Sequence, residues 1–411
     1  MKIFPRRNIA GGALVVPGDK SISHRAVILG AIAEGITEIE GFLNGEDNMA
    51  TVACLRQMGV NIEINKDYAR IGGVGKKGLR PPKDVLYCGN SGTTMRLLCG
   101  LLAGQEFDSI LSGDESLQKR PMKRVIQPLE LMGACISAQK DGLHIKGRHL
   151  VGIDYKMPIH SAQVKSAIIL AGLYAQGKTN VIELGEGLTR NHTENMMHYM
   201  IQDGVLKSRK ISVPGDFSSA AFFVVLGLLM ANEGLMIKGV GLNPTRTGLL
   251  TALRAMGGHI QTTIHHEIGG EAVGDIFVKK SRLKAIDLKG DLVPLMIDEI
   301  PIFAVAAAFA TGTTTIQDAG ELAIKESNRI VTISQELAKM GAKIAPTQEG
   351  LVIDGVESLH GAELDSHGDH RVAMAMAIAA NSAQTPSTIK NAECMNISFP
   401  GFEQVLISSI K

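Results

Sequence analysis

One pattern recurs along the chain and restricts its fold more than any single motif. An Ala/Leu-rich helical run ends near a glycine and gives way to a β-branched strand. The junctions read AIAEGITEIEGF, LLAGQEFDSILSG, LYAQGKTNVIELG, LMANEGLMIKGVG, FATGTTTIQDAG and, more weakly, ANSAQTPSTIKNA. Gly35, Gly104, Gly177, Gly234 and Gly312 mark the first five. After four of these strands an amphipathic helix closes in Met-Gly before further strand: CLRQMGVNIEI, LELMGACISA, LRAMGGHIQT and ELAKMGAKIA. The unit therefore reads helix, strand, helix, strands, and it recurs about six times. Its first helix is too apolar, and its spacing too irregular, for an open solenoid. Six units predict a mixed α/β (α+β) protein of two domains with three units each. The third unit is trimmed: after His198 the run MIQDGVLKSRKISVPGDFSS leaves room for very short strands or none.

Length agrees, since 411 residues exceed one compact core and suggest two domains of roughly 200 residues each. Forty-two basic against forty-one acidic residues leave a net charge of +1, which argues against a nucleic-acid or membrane-surface binder. Any anionic ligand must then meet locally placed charges. The five cysteines show neither CxxC pairing nor zinc spacing, so a reduced, cytoplasmic protein is expected. MKIFPRRNIAGG lacks a signal-like apolar run, and the stretch around Phe222–Ala231 falls short of the ~18 residues of a membrane span.

Each apolar helix opens on polar residues. The starts are GDKSISHR, GNSGTTMR, HSAQVKS, PGDFSSA, IDEIP and SHGDHR. Ser, Thr, Asp and Asn there are ordinary N-caps. The cations are not, because Lys20, Arg25, Arg96, Lys165 and Arg371 oppose a helix end that is already positive. Free N–H groups and arginine forks both bind phosphate and carboxylate, so the repeated placement predicts an anion trap. SLQKRPMKR and IKESNRI add cations, the latter expected to set Lys325, Glu326 and Arg329 on adjacent helical turns.

These motifs together resemble the EPSP synthases, the 3-phosphoshikimate 1-carboxyvinyltransferases. GDKSISHRA, GNSGTTMR, KRPM, SAQVKSA, TRNHTE, VPGDFSSAAFF, DEIPIFAVAAAFA, KESNR, DHRVAM and SFPGF stand in the family's order over essentially the whole length. The resemblance implies a two-domain inside-out α/β barrel-like fold of six βαβαββ units that closes over substrate. Residues 1–17 plus 215–411 would form one domain, the phosphoenolpyruvate side, and 18–214 the other, the shikimate 3-phosphate side. It implies transfer of the enolpyruvyl group of phosphoenolpyruvate to the 5-hydroxyl of shikimate 3-phosphate, in a cytoplasmic, monomeric enzyme with no metal or cofactor and no nucleic-acid or membrane partner.

By motif match, Lys20, Ser21 and Arg25 would contact shikimate 3-phosphate, with Lys20 also reaching phosphoenolpyruvate. Ser161, Ala162 and Gln163 would hold its phosphate and ring with Arg190. Asn90, Gly92 and Arg120 would bind phosphoenolpyruvate, with Lys325, Arg329 and Arg371 completing that site. Asp298 would be the base for the 5-hydroxyl and Glu326 the proton donor to the methylene, with Lys20 or Lys325 as alternative proton carriers. Gly92 keeps the side-chain-free position that in the family admits the inhibitor glyphosate. Ala323, Asn328 and Ile397 depart from the family's usual residues.

Three other readings are weaker. UDP-N-acetylglucosamine enolpyruvyl transferases share fold and donor but lack the KSxSxR and KES-x-R forms. A non-catalytic binder of phosphorylated metabolites would not need Asp298 and Glu326 among the cations. A serine hydrolase fails because Thr93 stands where G-x-S-x-G requires its last glycine. His367, Asp369 and His370 have metal-ligand chemistry, but helix capping and orientation of Arg371 explain them better.

Overall fold

The structure, a computed structural model, describes residues 1–6, 8–9, 11–185 and 189–409. The chain divides into two compact units. The first comprises Met1–Pro17, Pro214–Glu267 and Ala272–Lys411; the second comprises Gly18–Val213 with Ile268–Glu271.

Four four-stranded sheets, two centred in each unit, are assembled in the same order. In the second unit Glu34–Glu40 runs parallel to Lys210–Ser212 and antiparallel to Tyr68–Val74, which pairs with Asn61–Asn65. Ser109–Ser112 likewise runs parallel to Leu86–Tyr87 and antiparallel to Gly142–Lys146, which pairs with Cys135–Gln139. In the first unit Leu235–Gly241 lies parallel to Gly12–Val15 and antiparallel to Glu271–Lys279, with His259–Ile268 at the edge. Thr313–Ile316 lies parallel to Asp287–Leu288 and antiparallel to Gly350–Asp354, with Lys343–Thr347 beyond. A parallel neighbour demands a crossover, whereas a hairpin supplies the antiparallel one. In two of the four sheets an apolar helix is that crossover: Gly92–Ala103 joins Leu86–Tyr87 to Ser109–Ser112, and Ile300–Ala308 joins Asp287–Leu288 to Thr313–Ile316.

The trimmed region ends in a hairpin of two-residue strands, Ile201–Gln202 with Val205–Leu206, turned by Asp203 and Gly204 at φ of 49° and 75°. Those strands are present and very short. The C-terminal strands Glu363–Asp365 and Ser387–Lys390 form a three-stranded sheet with Lys2–Ile3.

Each unit has its own core. In the second, Val27, Ile28 and Leu29, then Leu97, Leu98 and Leu101, then Ala167, Ile168 and Leu170 are buried on three neighbouring helices. A helix apolar on every face belongs inside. Gly100 makes one close approach possible, because a Cβ there would lie 2.2 Å from the Ala167 carbonyl oxygen. In the first unit the Phe217–Met230, Ile300–Ala308 and His370–Asn381 helices are buried along nearly their full length. Their polar N-terminal ends thus become the places where chemistry can reach the surface. Among the described residues, no helix is long and apolar enough to cross a membrane.

Candidate active site

In the second unit the helix starts at Lys20, Gly92, Ala162 and His192 carry the polar groups. Asp19 caps the first by accepting from the Ile22 N–H at 2.8 Å; Ser21, by contrast, lends its carbonyl oxygen to Arg25 Nη1 at 2.9 Å. The cap is therefore Asp19, because an Asp side chain just before the first turn reaches the N3 amide. Lys20 Nζ lies 3.0 Å from Asp47 Oδ2, on the Glu46–Gln57 helix. Arg25 sits in the second helical turn and is 4% exposed. Its Nε donates to Thr193 Oγ1 and its Nη2 to Ser166 Oγ, both at 2.7 Å, and those hydroxyls lie 2.7 Å apart. Burial pulls this guanidinium down to about 10, with Arg190 adding repulsion against the partial support of Glu194 and Asp19.

Around Gly92, Ser91 caps its helix through the Thr94 N–H at 3.1 Å. Asn90 donates to Asp114 Oδ2 at 2.6 Å and accepts a short bond from Arg120 Nη2. Arg96 donates to Gln163 Oε1, and Gln163 Nε2 donates to Thr93 Oγ1 at 2.9 Å. A Cβ on Gly92 would come within 2.7 Å of Arg96 Nη1 and 3.4 Å of Arg120 Nη1. Ser161 caps the next helix, placing Ala162 and Gln163 in its first turn. Gly92 thus lies between two polar pairs, Arg96 with Gln163 and Arg120 with Asn90. Lys165 behaves otherwise: it is 3% exposed and lies 2.6 Å from both Glu183 Oε1 and Glu194 Oε1. Its charge is consumed inside the unit rather than presented at the helix start.

In the first unit the carboxylates at the helix starts are used in two ways. Asp216 and Asp369 cap their helices, accepting from the Ser218 and Arg371 N–H groups at 2.9 Å each. Asp298 lies in the 3-10 segment Pro294–Glu299, ahead of a helix that has no side-chain cap. Its carboxylate faces cations instead: Lys325 Nζ and Arg329 Nη1 at 3.5 Å and Arg371 Nη2 at 3.6 Å. Arg329 is 1% exposed and also binds Asp369 through Nε at 2.8 Å and Glu326 through Nη2 at 2.7 Å. Burial alone would lower its pKa, but Asp369 and Glu326 raise it well above the usual arginine value. Burial pushes Lys325 below the usual lysine range, offset in part by Asp298.

One expectation changes. Lys325 and Glu326 do not lie on helical turns with Arg329, because Lys325 is extended and the helix begins at Arg329 behind the Asn328 cap. Ser327 donates to Asp369 Oδ2 at 3.1 Å, which ties the non-helical stretch to the start of the His370 helix. Asp369 therefore caps that helix and grips Arg329, and among the described residues no group of His, Cys, Asp and Glu could hold a metal ion. Several polar residues went unread in the sequence: Asp47, Asp114, Ser166, Thr193 and Glu299. Each is recognisable only through its partner, since all five are common residue types. Glu299 is 1% exposed, accepts a short bond from Ser218 and lies 3.7 Å from Arg371 Nη1.

Cation-rich helix starts on two α/β units, with carboxylates set among the cations, define a class: a protein built to hold phosphate- and carboxylate-bearing molecules beside acid–base groups. Comparison with known proteins narrows the class. The family model described as EPSP synthase (3-phosphoshikimate 1-carboxyvinyltransferase) matches residues 6–406. The 3-phosphoshikimate 1-carboxyvinyltransferase of Geotalea uraniireducens is 50% identical, over 98% of this chain and 97% of its own. That of Brevibacillus brevis is 48% identical over 96% of each. Among solved structures, the EPSP synthase of Acinetobacter baumannii superposes with a TM-score of 0.86 at 43% identity, covering 99% of this chain and 97% of that one. The enolpyruvyl transferase NikO of Streptomyces tendae shares the fold, with a TM-score of 0.78 at 16% identity over 99% and 96% of the two chains. The chain belongs to the EPSP synthase family.

Proposed function

We propose that the protein transfers the enolpyruvyl group of phosphoenolpyruvate to the 5-hydroxyl of shikimate 3-phosphate, releasing inorganic phosphate, as its relatives' names indicate. The reaction is an addition followed by an elimination. The hydroxyl loses a proton and attacks C2 of phosphoenolpyruvate while the methylene gains a proton. The tetrahedral intermediate then loses phosphate and one methyl proton, which restores the double bond. An acid and a base must therefore exchange roles between the two steps.

In this reading residues 18–214 serve shikimate 3-phosphate: Lys20, Ser21 and Arg25 at one helix start, Ser161, Ala162 and Gln163 at another, with Arg190. Asn90, Gly92 and Arg120, with Lys325, Arg329 and Arg371, serve phosphoenolpyruvate and stabilise the departing phosphate. Lys20 reaches both substrates. Asp298 takes the proton of the 5-hydroxyl, and Glu326 serves the methylene. The six-unit reading, three βαβαββ repeats per domain, extends the recurring strand order of the four-stranded sheets. The protein would work as a monomer in the cytoplasm, a reducing compartment that suits its five free cysteines.

One observation carries the assignment of the base: Asp298 is the carboxylate that faces Lys325, Arg329 and Arg371 instead of capping a helix. Lys325 supports a second reading of the methylene proton, because a lysine lowered by burial is a better proton donor than an ordinary one. The test is phosphate release by the purified protein given both substrates and each alone. Release should require both, and its absence with both would overturn the reading. Asp298→Asn and Glu326→Gln should each lower kcat by about 100-fold or more while shikimate 3-phosphate still binds. Near-normal turnover in Glu326→Gln, with a loss in Lys325→Met, would transfer the proton to Lys325.

A further inference from the structure

We infer that Lys165 is a positioning residue for the phosphate of shikimate 3-phosphate: it fixes Thr189, the residue before Arg190, and the helix start whose Thr193 holds Arg25. The inference rests on the substrate assignment just proposed. Its starting point is that Lys165 is a buried ammonium shared by three segments.

Lys165 is the fourth residue of the Ala162–Gly172 helix. Its Nζ lies 2.6 Å from Glu183 Oε1, 2.6 Å from Glu194 Oε1 and 3.4 Å from the Thr189 carbonyl oxygen. Glu183 follows the strand Asn180–Ile182, and Glu194 is in the first turn of the His192–Met200 helix. The second oxygen of Glu183 accepts from the Thr189 N–H at 3.0 Å and from the Thr189 hydroxyl. Thr189 immediately precedes Arg190. One ammonium therefore ties the helix start that carries Ser161 and Gln163 to the residue before Arg190. The neighbours of this ion group, Ser166 and Thr193, hold Arg25. Arg190 and Glu194 lie near enough for their charges to act on Arg25.

The chemistry explains why a lysine belongs there. A guanidinium binds carboxylate and phosphate through the same paired N–H geometry, so nearby carboxylates compete with a phosphate for it. Glu194 is such a competitor, since it follows Thr193, which holds Arg25, and Glu183 is the carboxylate that takes the Thr189 bonds. An ammonium engaging both removes the competition without itself reaching the substrate. Net stability is a poor rationale for the group, because buried ion pairs gain little over apolar packing.

The test is steady-state kinetics of the full-length protein, with each substrate varied in turn. Lys165→Met should raise KM for shikimate 3-phosphate about 30-fold, while kcat and KM for phosphoenolpyruvate change less than about threefold. Lys165→Arg, which keeps the charge, should recover most of that loss. If Lys165→Met does not fold, Lys165→Met/Glu183→Gln/Glu194→Gln leaves no uncompensated charge and carries the measurement. Loss of the tie to Thr189 should keep KM for shikimate 3-phosphate raised in that variant too. An unchanged KM for shikimate 3-phosphate in a folded variant overturns the inference, as does a parallel loss for both substrates. Full recovery in the triple variant also overturns it, since charge compensation alone would then suffice. Wild-type protein that releases no phosphate from the two substrates would instead overturn the function on which the inference rests.

Discussion

His24 belongs to a buried hydrogen-bond chain that links helix starts to one another. It is fully buried and bonds through Nδ1 to Thr51 Oγ1 at 2.8 Å. Thr51 continues to Thr94 Oγ1 at 2.7 Å, and Thr94 to Ser91 Oγ at 2.7 Å and to the Asp47 carbonyl at 3.1 Å. The chain joins the starts of the Lys20, Glu46 and Gly92 helices. Burial, then the charges of Lys20 and Arg25, hold the imidazole well below its usual value, so it is neutral in the folded protein at neutral pH. The sign of the consequence follows. Below about pH 6.5 the unfolded chain binds a proton that the folded chain refuses, so stability falls as pH drops from there towards the folded value. His24→Asn should flatten that fall, which urea midpoints at about pH 5 and pH 7.5 would measure. Equal losses in variant and wild type would remove His24 from the acid response. The residue types at the helix starts were legible in the sequence, but the fate of each cation was not. Lys20 and Lys165 both lie in the first turn of an apolar helix, yet Glu183 and Glu194, 18 and 29 positions along the chain, decide that Lys165 is internal.

At the scale of elements, apolar runs, closing glycines and caps marked out the buried helices because those signals are local. Where side chains from other segments compete, the local reading failed. The KESN stretch has helical residue types, but Ser327 and Glu326 are drawn to Asp369 and Arg329, and the helix waits for Asn328. The start of the Gly92–Ala103 helix is governed by the same competition. An added methyl at Gly92 would press on the far end of the Arg96 side chain at 2.7 Å and touch Arg120 at 3.4 Å. Both are flexible side chains, so the fold can yield, but the Arg96–Gln163 and Arg120–Asn90 bonds must shift. Gly92→Ala should therefore leave the melting temperature within a few degrees of wild type and raise KM for phosphoenolpyruvate about tenfold. A normal KM, or a large loss of stability with no kinetic change, would show that these arginines do not meet phosphoenolpyruvate.

The whole chain has an arrangement that the repeat pattern only partly revealed. The recurring helix–strand junctions suggest units because their punctuation is local, but the grouping of Ile268–Glu271 with the second unit could not be read from them. There Glu271 Oε1 lies 2.7 Å from His192 Nδ1, and Asn195 Nδ2 donates to the Gly270 carbonyl at 2.8 Å. Nothing in a strand-turn-strand sequence announces such partners. The rest of the second unit is one continuous segment, Gly18–Val213, with a core of its own and two four-stranded sheets. A segment of that size, compactly packed about its own core, is within the range that folds alone. Residues 18–213 expressed separately should therefore unfold cooperatively in urea when followed by circular dichroism. Removal of Glu271 leaves a buried histidine without its bond, so the fragment should be less stable than one with His192→Leu by about 1–3 kcal/mol. A gradual, non-cooperative loss of structure would mean that the second unit requires the remainder of the chain to hold its fold. Equal stability of the two fragments would mean that His192 without its partner costs the second unit nothing.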